Sequence, residues 1–150
     1  MKAYADSSFI VALYLQQQSS RLAAAFMRQH GEPLPFTPWH RLEARNAIRL
    51  AVFHRAIDFH QCKTQLRQLE ADLRDESLII HTPIDWLAVL RQAEKLGAAY
   101  NESIGCRSAN LFHIAAAIEL KAGCFLTLDE RQKKMAKAAG LTMKIERILE

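Results

Sequence analysis

The sequence predicts an α/β protein, a sandwich around a mainly parallel central sheet. Three observations lead there. Short apolar runs recur along the chain, at residues 2–5, 34–37, 78–80, 124–128 and 141–145. Longer segments with helical apolar spacing lie between them. Capping residues, Gly or Pro punctuate most of the junctions, so strands and helices alternate, as crossover-connected parallel strands require.

Lys2 to Ala5 reads as a short buried strand. Asp6 and Ser7 are N-cap types, and Phe9-Ile10-Val11-Ala12-Leu13 opens an apolar helix. A second helix spans Ser19 to His30, and Gly31 can stop it in the left-handed conformation. Between Pro33 and Pro38 lies a strand, Leu34 to Thr37. Trp39 to His54 is helical, with Leu42, Ala47, Leu50 and Ala51 predicted to share one apolar stripe. Asp58 caps a helix carrying Leu66, Leu69 and Leu73. Leu78-Ile79-Ile80 is a strand, ended by Pro83, and Asp85 caps a helix from Trp86 to about Ala99. Residues 100–108 are polar and read as a loop. Ala109 to Ala122 is an apolar helix closed by Gly123, and Cys124 to Leu128 is a buried strand. After Asp129 a helix runs to Ala139, then Gly140 and a last strand, Leu141 to Ile145.

A chain of 150 residues, half hydrophobic and 24% charged, fits one domain, 1–150, with one sizeable core. The formal charge of +4 is compatible with a polyanionic partner and equally with a solvated basic surface. Cys62, Cys106 and Cys124 are odd in number and lack a CxxC spacing, so free buried thiols in a reducing, cytoplasmic setting are expected. Asp6 interrupts the apolar start and no cleavage pattern follows, which argues against a signal peptide. No uncharged apolar run reaches the about 18 residues that span a bilayer, so no membrane role is expected.

Acidic and amide residues stand where strands end. Asp6 follows the first strand, Glu43 lies one turn into the helix after the second, Asn110 begins a helix, and Asp129 follows the late strand. Each has a local alternative. Asp6 and Asp129 are also N-cap types, Glu43 also suits a helix dipole, and Asn110 also suits a helix start. Together they could converge at the carboxyl edge of a parallel sheet, where ligands of such folds gather. Clustered carboxylates suit Mg²⁺ or Mn²⁺, hard cations that prefer oxygen. Two such ions can activate water and stabilise the leaving oxygen of a phosphodiester.

Four segments in this order resemble the motifs of the PIN-domain family, and of its VapC-like toxins in particular: YADSSFIVALY (4–14), RLEARNAI (41–48), RSANLFHIAAAIEL (107–120) and FLTLDERQ (125–132). AAGL (138–141) is similar to the family's closing helix-to-strand step. The likeness covers nearly the whole chain. It implies three layers, α/β/α, for the sandwich, Mg²⁺ or Mn²⁺ dependence and endoribonuclease activity on RNA. For the VapC-like subset it also implies a toxin role, a cognate antitoxin and a homodimer. Carried over by position, Asp6, Glu43 and Asp129 are metal-binding acids, with Asn110 at the fourth position. Ser7 or Ser8 hydrogen-bonds near the metal. Asn46, on the same helix face as Glu43, orients that acid or a metal-bound water.

One position departs from the pattern. The third motif normally carries Asp three residues before the His, and here Asn110 precedes His113. An amide oxygen can still coordinate a hard cation but carries no charge. Metal binding should therefore weaken, while repulsion in the empty site is relieved. The amide fits a naturally weak site or an acid-to-amide replacement that silences it. Arg107 could touch a phosphate through its planar fork, or form a surface ion pair. His113 reads as a structural histidine within an apolar helix. His54, His60 and Cys62 match no zinc spacing. Lys133, Lys134 and Lys137 make a basic helix face. A catalytically silent PIN-fold module that keeps antitoxin or RNA binding is the alternative. A haloacid-dehalogenase-like phosphatase would want Asp where Ser8 stands, a receiver domain would want paired acids near strand one, and a Rossmann or P-loop enzyme a Gly-rich turn.

Overall fold

The structure, a computed structural model, describes residues 2–143. The protein is α/β, with parallel strands as the sequence predicts. The elements in order are β1 (Ala3–Ala5), α1 (Ser7–Val11), α2 (Ser20–His30), β2 (Leu34–Phe36), α3 (Pro38–Phe53) and α4 (Phe59–Asp75). There follow β3 (Ile79–His81), α5 (Trp86–Ile104), α6 (Ser108–Glu119), β4 (Cys124–Leu126), α7 (Glu130–Ala138) and β5 (Thr142–Met143). Positions 144 and 145 of the predicted last strand lie outside the described residues. The chain divides into two compact units: Met1–Asp6 with Pro83–Glu150, and Ser7–Thr82.

In the first unit β4 is central, paired in parallel with β1 and β5. Ala5 aligns with Leu126, and the Asp6 N–H extends the ladder to the Leu126 carbonyl. Tyr4 and Phe125 stack across the strands, centroids 5.9 Å apart. Val89 and Leu96 of α5, Ile114 of α6 and Met135 of α7 pack into the same buried cluster. His113 is buried within it, and its Nδ1 is bonded to the Tyr4 hydroxyl at 2.9 Å, so it has the structural role expected of it. Cys62, Cys106 and Cys124 are free and buried, also as expected.

The second unit holds the parallel pair β2–β3 and helices α1 to α4. Phe9 of α1 meets Phe26 of α2 edge-on at 5.9 Å, and Leu34, Phe36, Ile48, Leu69 and Ile79 are fully buried. Thr37 starts α3 firmly. Its hydroxyl accepts the His40 N–H, the His40 ring accepts the Thr37 N–H, and Pro38 lacks the donor that the first turn would leave unpaired. Thr37→Ala is expected to lower stability by about 1–2 kcal/mol, measured as a fall in the urea midpoint.

Two sequence expectations need correction. Leu42 and Leu50 do not form the inward stripe of α3. They are 61% and 44% exposed, and the buried face is His40, Ala44 and Ile48. Residues 100–104 are helical rather than loop. α5 continues to Ile104 and stops at left-handed Gly105, where the Asn101 side chain takes the Cys106 N–H and donates back to its carbonyl. The polar side chains there are outward positions of a helix, which need no apolar periodicity.

Candidate acid site

The β1–β4 register determines the core of the site. Ala5 and Leu126 are partners, so the next residues, Asp6 and Thr127, emerge side by side at the carboxyl ends of adjacent parallel strands. Both are buried. The Thr127 hydroxyl donates to Asp6 Oδ2 at 2.6 Å. Thr127 Oγ1 in turn accepts the Asp129 backbone N–H at 3.1 Å. Asp129 is exposed, and its Oδ1 caps α7 by accepting the Gln132 N–H at 2.7 Å. Asp6 and Asp129 thus flank one hydroxyl, 121 residues separating Asp6 from Thr127 along the chain.

Asn110, in the first turn of α6, joins the network through its carbonyl, which accepts from Gln132 Nε2 at 3.3 Å. Arg107, Asn110, Asp129, Glu130 and Arg131 line one open cleft of about 510 Å³. Arg107 is the N-cap residue of α6 and uses no side-chain cap, leaving its guanidinium for the cleft. The bond from Lys133, 2.6 Å long, is the main cause holding the Glu130 carboxyl below its ordinary range. Glu130 therefore stays ionised and tied to α7.

Glu43 belongs to the other unit, where Ser7 Oγ donates to its Oε1 at 2.8 Å. That hydroxyl holds the acid in a defined position, while Asn46 and Ser8 are exposed. Asp6, Asn110 and Asp129 are therefore brought into one network, and Ser7 with Glu43 into another.

Sequence reasoning missed Gln132 and read Thr127 only as part of the Cys124–Leu128 strand. Both are wholly buried polar side chains. Gln132 sits in the charged run ERQKK, where nothing local marks it as inward. The available signal was its spacing from Met135 and Ala136, which lie on the same buried helix face.

Cys106 lies behind the cleft, its thiol donating to the Arg131 carbonyl at 3.3 Å. Burial first, and the Asp129 carboxylate second, push its pKa up. Less thiolate is present at a given pH, so Cys106 is expected to react with iodoacetamide several-fold more slowly at pH 8 than a small free thiol. Mass spectrometry of the labelled peptide measures this.

Among the described residues, no three His, Cys, Asp or Glu side chains form a metal-holding group. The candidate donors of the first unit, Asp6, Asp129 and Asn110, are two carboxylates and one amide. They are all oxygen, which suits a hard cation, and they are one charge short of a three-acid site.

No family model matches the sequence, and no curated protein sequence matches it. The fold does have a solved counterpart, the crystal structure of Mycobacterium tuberculosis VapC20, described as a sarcin-ricin loop cleaving toxin. The two superpose with a TM-score of 0.65 over 94% of this chain and 97% of that one. This is a PIN-like fold. At 13% identity the likeness to VapC20 concerns the fold alone. The VapC-like order of strands and helices is therefore present, and the chemistry of this chain must be argued from its own residues. No helix of the described residues is long and apolar enough to cross a membrane.

Proposed function

We propose that this chain is a VapC-like endoribonuclease of a toxin–antitoxin pair, dependent on Mg²⁺ or Mn²⁺ and weakened by Asn110. The observation that carries this reading is the buried Thr127 hydroxyl at the carboxyl ends of parallel strands, which donates to the Asp6 carboxylate and accepts the Asp129 backbone N–H, with Asn110 and Asp129 lining one cleft. The oxygen-only donor set supports a hard cation. When bound, the metal would supply an activated water and charge stabilisation for the leaving oxygen. Asp6 and Asp129 serve as its carboxylate ligands, with the Asn110 amide as a weaker, neutral donor. Ser7 holds Glu43, and Thr127 holds Asp6. Arg107 meets an RNA phosphate at the rim of the cleft, where its fork can make two parallel bonds.

Residues 1–150 act as a single domain in the cytoplasm. Protein partners, a second copy of the chain and an antitoxin, are supported by the exposed apolar side chains of α3: Leu42, Leu50 and Phe53, the last 79% exposed. The low carboxylate count favours an impaired nuclease, and the limiting case is a silent module that keeps its RNA and antitoxin contacts.

The test is cleavage of a mixed RNA pool by the unaltered chain, by Asn110→Asp, and by Asn110→Asp with Asp6→Asn, each with Mg²⁺, Mn²⁺ or chelator. Cleavage by Asn110→Asp alone, abolished by chelator, is the expected result. Equal cutting by all three, or cutting that survives chelation, overturns the acid-site reading. Binding of RNA without cleavage by any form favours the silent module.

A further inference from the structure

Gln132 is the common point of the network in the first unit. Its Oε1 lies 2.7 Å from Thr127 Oγ1, a hydroxyl whose other acceptor is Asp6 Oδ2 at 2.6 Å. Its Nε2 donates to the Asn110 carbonyl, and its backbone N–H donates to Asp129 Oδ1. One residue thus reaches three site positions, directly or through one hydroxyl. Its packing alone does not call for an amide. The neighbours on the buried face of α7 are Met135 and Ala136, and Met or Leu would fill the same place. A wholly buried amide is tolerated only when its polar atoms are matched, and here the matches are the site itself.

We infer that Gln132 is the positioning residue of this acid site, fixing the Thr127 hydroxyl, and so the Asp6 carboxylate, relative to Asn110 and Asp129. The inference rests on the metal-site reading above. Gln132 touches neither metal nor substrate. It sets the geometry of the groups that do, and outer partners of this kind alter metal affinity by about 10–100-fold when lost.

The test uses Mn²⁺ alone as probe, titrated by electron paramagnetic resonance into the full chain carrying Asn110→Asp. Gln132→Met, Thr127→Val and the two combined are then compared in that background. Gln132→Met is expected to weaken Mn²⁺ binding about tenfold and to lower kcat on RNA with KM unchanged. Because both variants break the Thr127–Gln132 link, the combined variant should lose less affinity than the two single losses multiplied together. A packing role alone would lower the melting temperature and leave the Mn²⁺ affinity of the folded protein intact. Unchanged Mn²⁺ affinity and kcat in Gln132→Met, or additive losses in the combined variant, overturn the inference. If Gln132→Met does not fold, Thr127→Val breaks the same link with Gln132 left in place, and unchanged affinity there overturns it equally. Failure of Asn110→Asp itself to bind Mn²⁺ is seen before any change at 132 or 127, and counts against the metal-site reading instead.

Discussion

Asn110→Asp is expected to raise Mn²⁺ affinity and RNA cleavage on the order of 100-fold. The change adds one full charge beside Asp129 in the cleft that both residues line. A unit charge about 4 Å from another, at an effective dielectric of about 20, is worth about 4 kcal/mol. Part of this is lost because the new carboxylate also repels Asp6 and Asp129 when no cation is present. A net gain of about 2–3 kcal/mol corresponds to roughly 30–150-fold. The repulsion has its own readout. In chelator, Asn110→Asp should melt lower than the unaltered chain, and Mn²⁺ should raise its melting temperature more. A gain in affinity with no loss of stability in chelator would place the new carboxylate outside contact with the other acids.

Phe125→Ala should cost about 3–5 kcal/mol, the range for emptying a well-packed aromatic site. Phe125 is wholly buried on the central strand of its sheet and stacks on Tyr4 of β1. The gap therefore opens at the strand pairing that sets Asp6 beside Thr127. With a urea slope of about 2 kcal/mol per molar, the midpoint should fall by about 2 M. If the chain behaves as the single domain proposed, the loss appears as one displaced transition in both fluorescence and circular dichroism. Two separated transitions would instead assign independent stability to the two compact units.

Much of the fold was legible because the strands are unusually plain. Phe125 and Leu126, or Ile79 and Ile80, are runs that only a buried strand or core helix can use, and their shortness and flanking breakers decide for strand. Asp6 stood out for a related reason, since an acid immediately after a buried strand has few places to go, whereas Asp129 lies three residues beyond the end of β4. Asn110 was found by its spacing from His113, through the family resemblance. What could not be read depends on distant contacts. The inward face of α3 is built on His40, which reads as polar but is buried because its ring is satisfied by Thr37. With that position discounted, Leu42 and Leu50 offered a false stripe. Gln132 shows the same limit within the site, because its partners Thr127 and Asn110 lie on other elements. The turn from α5 to α6 was misplaced because Asn101, a residue typical of loops, acts here as the clasp that ends a helix.

The pairing of β1 with β4 also bears on when the protein becomes competent during its synthesis. Strand β1 is among the first segments to leave the ribosome, yet its partner begins at Cys124. At about 5–20 residues per second, the opening strand waits roughly 6–24 s for that partner. Residues 7–82 have their own parallel pair and can condense meanwhile. Asp6 cannot meet Thr127 until the later segment emerges, so a nascent chain truncated before residue 124 carries three of the four predicted site residues and cannot form the Asp6–Thr127 bond. In the nuclease proposed above, this topology would postpone activity until most of its own message has been read.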